Sequence, residues 1–271
     1  DILFAVCYLA RFQQSVTQLR REMVERVIAY LQSTKDLALT YSKSVIENDG
    51  TLIAYSDSDY GTASDNKSTS GMTTFYSNML IDYHSKKQKT VSLSTTAAEL
   101  RAAVDAMKAT LYIMKILVAT KQPVKKVKLL IDNNATVTML KNASYQGKQK
   151  YLQVRWAFIN EMYRKGIRLY EDDDPLCDLE ILYVATDLNI ADALTKPLDR
   201  RTFERHRMLM GVRIQKDTPQ QKQLGTAYSS NNAGDGPEGN NKQEKQQDKT
   251  PSKRKALVLD TSSSTDRQMK S

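Results

Sequence analysis

Residues 51–85 read TLIAYSDSDYGTASDNKSTSGMTTFYSNMLIDYHS, and this stretch decides the fold class. It contains three runs rich in β-branched and aromatic residues, which predict strands at 52–57, 72–77 and 79–85. The second and third runs are joined at Ser77-Asn78. Three successive strands with short connections predict an antiparallel meander.

A long helix and two more strands follow the meander. Apolar residues recur at steps of four and three along the helix, at positions 100, 104, 107, 111, 114 and 118. The runs at 127–132 and 180–184 predict the fourth and fifth strands, and helices are predicted at 136–140, 151–163, 190–196 and 201–210. A helical crossover into a new strand implies parallel pairing in the same sheet. The predicted fold class is therefore α/β, a mixed five-stranded sheet with three antiparallel strands and then parallel strands, flanked by helices.

Two segments of different character flank this block. Residues 1–42 have apolar residues at helical spacing and then a short alternating run at 37–41, and they are too short to form an independent domain. Residues 216–271 are rich in Gln, Asn, Ser, Gly and Lys, a composition that predicts a disordered polar tail. The predicted organisation is an N-terminal helical segment at 1–42, a domain at 43–215 and the tail at 216–271.

The composition narrows the classes of function. The chain has 271 residues, with 40 Lys and Arg against 31 Asp and Glu, and a formal net charge of +9. This balance favours a polyanionic partner such as nucleic acid. Two cysteines and two histidines are too few for a disulfide scaffold, a cysteine-based zinc site or a histidine-rich metal site. No apolar run is long enough to predict a membrane span.

Four carboxylates lie at the ends of predicted elements. Asp57 and Asp132 each end an apolar strand, where aspartate is unfavourable. Glu99 lies in the first turns of the long helix, and Asp192 begins the last helical region. Like charges brought this close require a proton or a divalent cation, and carboxylates are ligands of Mg²⁺. Each residue alone is also typical of a turn or a cap, so only the full set predicts a site for two metal ions and in-line displacement at phosphorus.

Six motifs occur in the order typical of one family. They are YSDSDY (55–60), KSTSG (67–71), SKKQ (85–88), STTAAEL (94–100), LIDN (130–133) and ADALTKPL (191–198). They resemble the ribonuclease H region of copia-type retrotransposon Pol polyproteins, over residues 1–212. Residues 1–41 resemble the segment that joins the reverse transcriptase to ribonuclease H.

This resemblance implies an RNase H-like fold and hydrolysis of the RNA strand of an RNA–DNA hybrid. It implies a catalytic and metal-binding role for Asp57, Glu99, Asp132 and Asp192, which would hold two Mg²⁺ ions, with Mn²⁺ as a substitute. The expected nucleic-acid contacts are Lys67, Ser68, Thr69, Lys86, Lys87 and Asn133. The implied partners are the hybrid and an upstream reverse transcriptase domain of the same polyprotein, without a membrane, in a cytoplasmic particle or the nucleus. The oligomeric state is left open.

A second hypothesis is a catalytically decayed or co-opted element that binds nucleic acid without cutting it. It is motivated by residues 150–158, KYLQVRWAF, which replace a family pattern that usually carries two histidines and an aspartate. Integrases and proofreading exonucleases are disfavoured, because integrases end their triad with glutamate where this chain has Asp192. Such exonucleases also place Asp-x-Glu on the first strand, where this chain has Asp57-Ser58-Asp59.

One motif is interpreted as a coincidence. Residues 170–173, YEDD, match the Tyr-x-Asp-Asp of reverse transcriptases in letters. In that family x is apolar and the motif lies upstream of ribonuclease H, whereas here x is glutamate and the position is downstream. We interpret the run as a solvated loop and expect no polymerase palm in this chain.

Overall fold

The computed structural model describes residues 1–41, 50–170 and 174–215. The predicted tail and residues 171–173 of the YEDD run lie outside the described residues. The helices are α1 (Leu3–Ala10), α2 (Gln18–Ser33), α3 (Thr95–Ala119), α4 (Asn134–Lys141), α5 (Lys150–Lys165) and α6 (Arg200–Leu209). The strands are β1 (Leu37–Leu39), β2 (Thr51–Asp59), β3 (Thr69–Tyr76), β4 (Met79–Lys87), β5 (Lys126–Ile131), β6 (Asp178–Tyr183) and β7 (Val212–Ile214).

Five of these strands form one mixed sheet in the order β4-β3-β2-β5-β6. Strands β2, β3 and β4 pair antiparallel, whereas β5 runs parallel to β2 and β6 runs parallel to β5. The predicted fold class is confirmed by this order and these directions. In the register, Ser56 of β2 lies beside Ile131 of β5, so the residues that follow them reach the same edge of the sheet.

The long helix α3 is the crossover between the meander and β5. It begins after Ser94, whose side chain accepts a hydrogen bond from the backbone N–H of Ala97 and so satisfies one otherwise unpaired donor of the first turn. The side chains of Leu100, Met107 and Met114 are fully buried, and burial of each such side chain stabilises the fold by about 1.5–3 kcal/mol. The helix packs on β2 and β3, which places its first turn near the end of β2.

The sheet has a hydrophobic layer on each face. Because side chains alternate along a strand, Leu52 and Ala54 of β2 join the main core with α3 and α5, whereas Ile53 and Tyr55 face the other layer. That second, smaller layer contains Leu194 and other residues of a short 3₁₀ helix at Ile190–Leu194. The sequence predicts this segment as part of a longer helical region, and the structure has a single tight turn there before Pro197.

The N-terminal helices and the sheet belong to one compact unit, which spans Asp1–Lys216. Strand β1 pairs antiparallel with β7, with Leu37 opposite Ile214. The hydroxyl of Tyr30 in α2 donates to the Asp1 carboxylate and accepts from Arg207 of α6 at 3.1 Å. The domain boundaries at 42/43 and 215/216 stay predictions. No helix in the described ranges is long and apolar enough to cross a bilayer.

Candidate metal centre

Three aspartates meet at the carboxyl edge of the central strands. Asp57 lies near the end of β2, Asp132 follows β5 directly, and Asp192 lies in the 3₁₀ helix after β6. One carboxylate oxygen of each lies within 4.8 Å of the others. Parallel pairing of β2 and β5 brings the first two together, and the packing of the 3₁₀ helix against β2 and β3 adds the third. The three are thus close enough to bind a common cation.

Glu99 approaches the same edge from the first turn of α3, although it is not part of the closest group of three. Its Oε1 accepts hydrogen bonds from the backbone N–H of Ser58 at 3.1 Å and from the Ser58 hydroxyl at 2.8 Å. Its Oε2 is buried and has no hydrogen-bond partner among the described residues. An anionic oxygen left unpaired in a buried position is costly unless a cation neutralises it.

The four carboxyl groups shift one another's protonation. Burial and then the charge of Asp192 raise the pKa of Asp57 to about 7. Burial and then the charges of Asp57 and Asp132 raise the pKa of Glu99 to about 9. Burial is also the main cause that raises the pKa of Asp132 and of Asp192. At neutral pH the group therefore retains protons unless cations compensate for the negative charge.

One cation of the chain itself lies within this group. The Lys196 ammonium is 2.9 Å from Oδ2 of Asp192, and the lysine side chain is half-buried. Burial acts to lower the pKa of Lys196, but the hydrogen bond to Asp192 and the nearby carboxylates outweigh it and raise that pKa. Oδ1 of Asp192 is buried and unpaired within the part of the chain that the structure describes.

Two buried side chains fasten the 3₁₀ helix to the end of β2. The Asn189 amide donates to the backbone carbonyl of Ser56 at 3.1 Å, and its oxygen accepts from the N–H of Ala191 at 3.3 Å. The Thr195 hydroxyl donates to Oδ2 of Asp57 and lies 3.1 Å from the backbone carbonyl of Asp192. Both residues are fully buried.

Gly71 makes this close packing possible. It lies opposite Asp57 in the register of β2 and β3. A Cβ at Gly71 would lie 2.6 Å from Cγ2 of Thr195 and 2.8 Å from the backbone oxygen of Ala191. Only glycine fits there without a shift of the 3₁₀ helix, which gives a structural reason for the glycine at the end of KSTSG.

The donor set fits hard divalent cations. It offers carboxylate oxygens from buried Asp57 and Asp192 and half-buried Asp132, together with the unpaired Oε2 of Glu99, and such oxygens are the preferred ligands of Mg²⁺. Neutralisation by cations would also remove the repulsion that raises the pKa values of these groups. The carboxylate triad is consistent with use of a divalent metal.

Comparison with known proteins identifies relatives of the chain. It is 32% identical over 213 residues to the retrovirus-related Pol polyprotein from transposon TNT 1-94 of Nicotiana tabacum, an alignment of 78% of this chain. It is 28% identical over 218 residues to the Pol polyprotein from transposon RE1 of Arabidopsis thaliana. A truncated transposon Ty1-A Gag-Pol polyprotein of Saccharomyces cerevisiae is 29% identical over 209 residues.

The chain is a homologue of retrovirus-related Pol polyproteins from copia-type transposons. The resemblance stated from its motifs is thereby confirmed. The chain spans only 14–16% of the length of those three relatives. No family model matches it.

Solved ribonuclease H structures are among the similar folds. LC11-RNase H1, isolated from compost, has a TM-score of 0.41 at 15% identity over 58% of this chain and 97% of its own. The same enzyme in complex with an RNA/DNA hybrid has a TM-score of 0.39 at 16% identity over 53% of this chain and 93% of its own. A foamy viral protease–reverse transcriptase in complex with an RNA/DNA hybrid has a TM-score of 0.34 at 12% identity over 67% of this chain and 26% of its own.

The residues expected to contact nucleic acid occupy different environments. Lys86 is exposed on β4, whereas Lys67 and Lys87 both form ion pairs with Asp65, at 3.0 Å and 2.7 Å. These three lysines lie around the start of β3 and the end of β4.

The other three expected contacts make hydrogen bonds within the protein. Ser68 and Thr69 are buried; the Ser68 hydroxyl accepts from the N–H of Gly61, and the Thr69 hydroxyl accepts from Arg11 at 3.4 Å. Asn133 is half-buried and caps α4, because its side-chain oxygen accepts from the N–H of Thr136 at 2.8 Å.

Several residues at the site were not predicted from the sequence. Ser58, Thr195 and Lys196 lie inside the motifs, and Asn189 directly precedes a predicted helix, but spacing carries no information about which hydroxyl or amide contacts which carboxylate. Their signal in the sequence is only that polar residues stand in segments that are otherwise apolar.

Proposed function

We propose that this chain hydrolyses the RNA strand of RNA–DNA hybrids, as the ribonuclease H part of a retrotransposon reverse transcription machinery. The observation that supports this most directly is the convergence of Asp57, Asp132 and Asp192 within 4.8 Å, where Asp57 and Asp192 are buried, Asp132 is half-buried and all three pKa values are raised. Metal-dependent hydrolysis at phosphorus requires this kind of oxygen-rich, partly dehydrated site.

Asp57, Asp132 and Asp192, with Oε2 of Glu99, would hold two Mg²⁺ ions, or Mn²⁺ in their place. Such a pair of ions, when bound, stabilises charge on the attacking and leaving oxygens of phosphoryl transfer. Ser58 fixes one oxygen of Glu99 and leaves the other buried and without a partner among the described residues. The nearby side chains of Thr186 and Asn189 act to lower the pKa of Asp132, although burial outweighs them.

The hybrid would be held through its backbone. Lys67, Lys86 and Lys87 lie on β4 and the loop before β3, and we assign them contacts to phosphate oxygens, which depend on charge and not on base sequence. The similar LC11 and foamy viral proteins were solved with RNA/DNA hybrids. A reverse transcriptase domain of the same polyprotein is the partner that we propose for delivery of the hybrid.

The test is cleavage of an end-labelled RNA–DNA hybrid by the full chain with Mg²⁺, compared with the Asp132→Asn variant. We expect cleavage of the RNA strand, lost by more than about 100-fold in Asp132→Asn. The matched control is Asp187→Asn, which removes an exposed carboxylate paired with Arg205 and should cleave normally.

The second candidate function is binding of the hybrid without cleavage. Residues 150–158, which depart from the family pattern, lie in α5, where Leu152 is buried in the main core and Trp156 and Phe158 pack against it. The segment thus has a packing role that needs no chemistry. An intact hybrid after prolonged incubation with Mg²⁺ or Mn²⁺, together with salt-dependent binding, would overturn the enzymatic proposal in favour of this one.

A further inference from the structure

The Thr195 hydroxyl is the one described hydroxyl that donates to Asp57. It contacts Oδ2 of that carboxylate and also lies 3.1 Å from the backbone carbonyl of Asp192. We propose that Thr195 is a positioning residue, which holds the Asp57 carboxylate in the orientation that binds a divalent cation. This inference rests on the proposed function, since it concerns the same site.

The packing of the threonine methyl fixes where its hydroxyl points. Thr195 is fully buried, and its Cγ2 packs against Gly71. A Cβ added at Gly71 would lie only 2.6 Å from this Cγ2. A β-branched side chain has few rotamers, so a methyl held on one side determines the direction of the hydroxyl on the other. The hydroxyl is therefore oriented toward Asp57 before any ion binds.

Asp57 needs such an anchor because its neighbours repel it. One oxygen of Asp132 and one of Asp192 lie within 4.8 Å of it, and the buried carboxyl group of Glu99 approaches from α3. Without a donor, the ionised Asp57 side chain would rotate to increase these separations. A hydrogen bond donated to an ionised carboxylate is stronger than one between two neutral groups. It also favours the ionised form of Asp57, which is the form that binds metal.

The same hydroxyl also lies within reach of a backbone carbonyl, which would be a purely structural contact. The two roles make different predictions. If Thr195 only closes the 3₁₀ helix, its loss lowers the stability of the fold and leaves the affinity for a cation unchanged. If it positions Asp57, its loss weakens cation binding beyond any change in stability.

The experiment measures Mn²⁺ binding to the full chain by isothermal titration calorimetry, together with unfolding by denaturant in metal-free buffer. Thr195→Val keeps the shape and removes the hydroxyl, whereas Thr195→Ser keeps the hydroxyl and removes the methyl. The matched control is Thr110→Val, because Thr110 is also fully buried and donates only to the Ala106 carbonyl of α3, at 2.9 Å.

We expect Thr195→Val to raise the dissociation constant for Mn²⁺ by about 10–100-fold, as is typical when a group that orients a metal ligand is lost. Thr195→Ser should stay within about threefold of the wild type, and Thr110→Val should be unchanged. The pH midpoint of Mn²⁺ binding should rise in Thr195→Val and in neither of the others, because the ionised Asp57 has lost its donor. If Thr195→Val does not fold, Thr195→Ala, which leaves space without a misplaced methyl, replaces it under the same criteria.

A Thr195→Val dissociation constant and pH midpoint equal to those of Thr110→Val would overturn the inference, and normal hybrid cleavage by the wild type would show that the proposed function survives. Mn²⁺ binding that depends on the Thr195 hydroxyl in a wild type that cuts no hybrid would support the inference and overturn the proposed function. A wild type that binds no Mn²⁺ would overturn both.

Discussion

The Lys196 ammonium lies 2.9 Å from Oδ2 of Asp192, at the point where the three aspartates meet. An internal ammonium at this place offsets part of the negative charge in the absence of metal. The ammonium also repels an incoming divalent cation, because both are positively charged. Removal of the ammonium therefore has opposite effects on the metal-free and the metal-bound protein.

We expect Lys196→Met to bind Mn²⁺ about tenfold more tightly, because repulsion between nearby cations is lost. The free energy of unfolding in metal-free buffer should fall in the same variant, since the carboxylates lose their counterion. Calorimetry and denaturant unfolding measure the two quantities. Lys165→Met, which breaks an exposed ion pair with Glu161, is the control and should change neither. Equal Mn²⁺ affinity in wild type and Lys196→Met would contradict the prediction.

Metal-free stability should fall as the pH rises. The pKa values of Asp57 and Glu99, about 7 and about 9 in the folded chain, lie above the ordinary carboxyl values of the unfolded chain. Between the ordinary carboxyl pKa and these raised values, the folded chain binds more protons than the unfolded chain. The free energy of unfolding therefore decreases as the pH rises, by up to about 1.4 kcal/mol per pH unit for each proton. Buried His206 has a lowered pKa and is neutral above pH 7, so it adds no slope there.

Denaturant unfolding at a series of pH values, with and without Mg²⁺, tests this slope. Mg²⁺ should stabilise the wild type more at high pH, where more protons have left the site. Asp57→Asn should have a shallower slope and little gain from Mg²⁺, whereas Asp105→Asn, at an exposed position on α3, should match the wild type. A metal-free stability that rises between pH 7 and 9 would contradict the raised pKa values.

Gly71→Ala should destabilise the chain by about 1–3 kcal/mol, the usual cost of overpacking a tight contact. The added methyl would meet Cγ2 of Thr195 and the backbone oxygen of Ala191. Denaturant unfolding in metal-free buffer measures the loss. Thr195→Ser in the same chain removes the first of the two contacts and should restore part of the stability, so a double variant no more stable than Gly71→Ala would argue against this packing.

Asp65→Asn should strengthen binding of an RNA–DNA hybrid. It releases the ammonium groups of Lys67 and Lys87, which Asp65 holds at 3.0 Å and 2.7 Å. Each added phosphate contact should steepen the dependence of log affinity on log salt by about one. Fluorescence anisotropy across a salt series measures the slope. An unchanged slope would show that neither lysine contacts the hybrid, and Asp105→Asn again serves as the control.

The strands and the carboxylates were predictable because their signals are local. Apolar runs that end in Asp57 and Asp132 specify both the strands and the edge at which the acids emerge, and the crossover helix fixes the parallel pairing. The 3₁₀ turn around Asp192 and the pairing of β1 with β7 were not predicted. Three-residue strands and single turns carry no periodicity, and tertiary contacts decide them.

Side-chain contacts at the site were the least predictable part. Lysines in KSTSG and SKKQ indicate a phosphate-binding surface, yet the carboxylate of Asp65 lies between two of them. Ser68 and Thr69 belong to the same motif and are buried. Thr69 begins β3, which lies between β2 and β4 and is covered on both faces, and Ser68 directly precedes it. Residue type and spacing do not reveal such coverage.

The contact between Gly71 and Thr195 also has a consequence for how related sequences diverge. A larger residue at 71 is tolerated only if the segment at 191–195 is remodelled, so the two motifs, far apart in the chain, are expected to vary together among descendants. Drift in one motif alone would separate the third aspartate from the other two while the sheet remained folded. In such a sequence the proposed cation site would be lost without any change in an acidic residue.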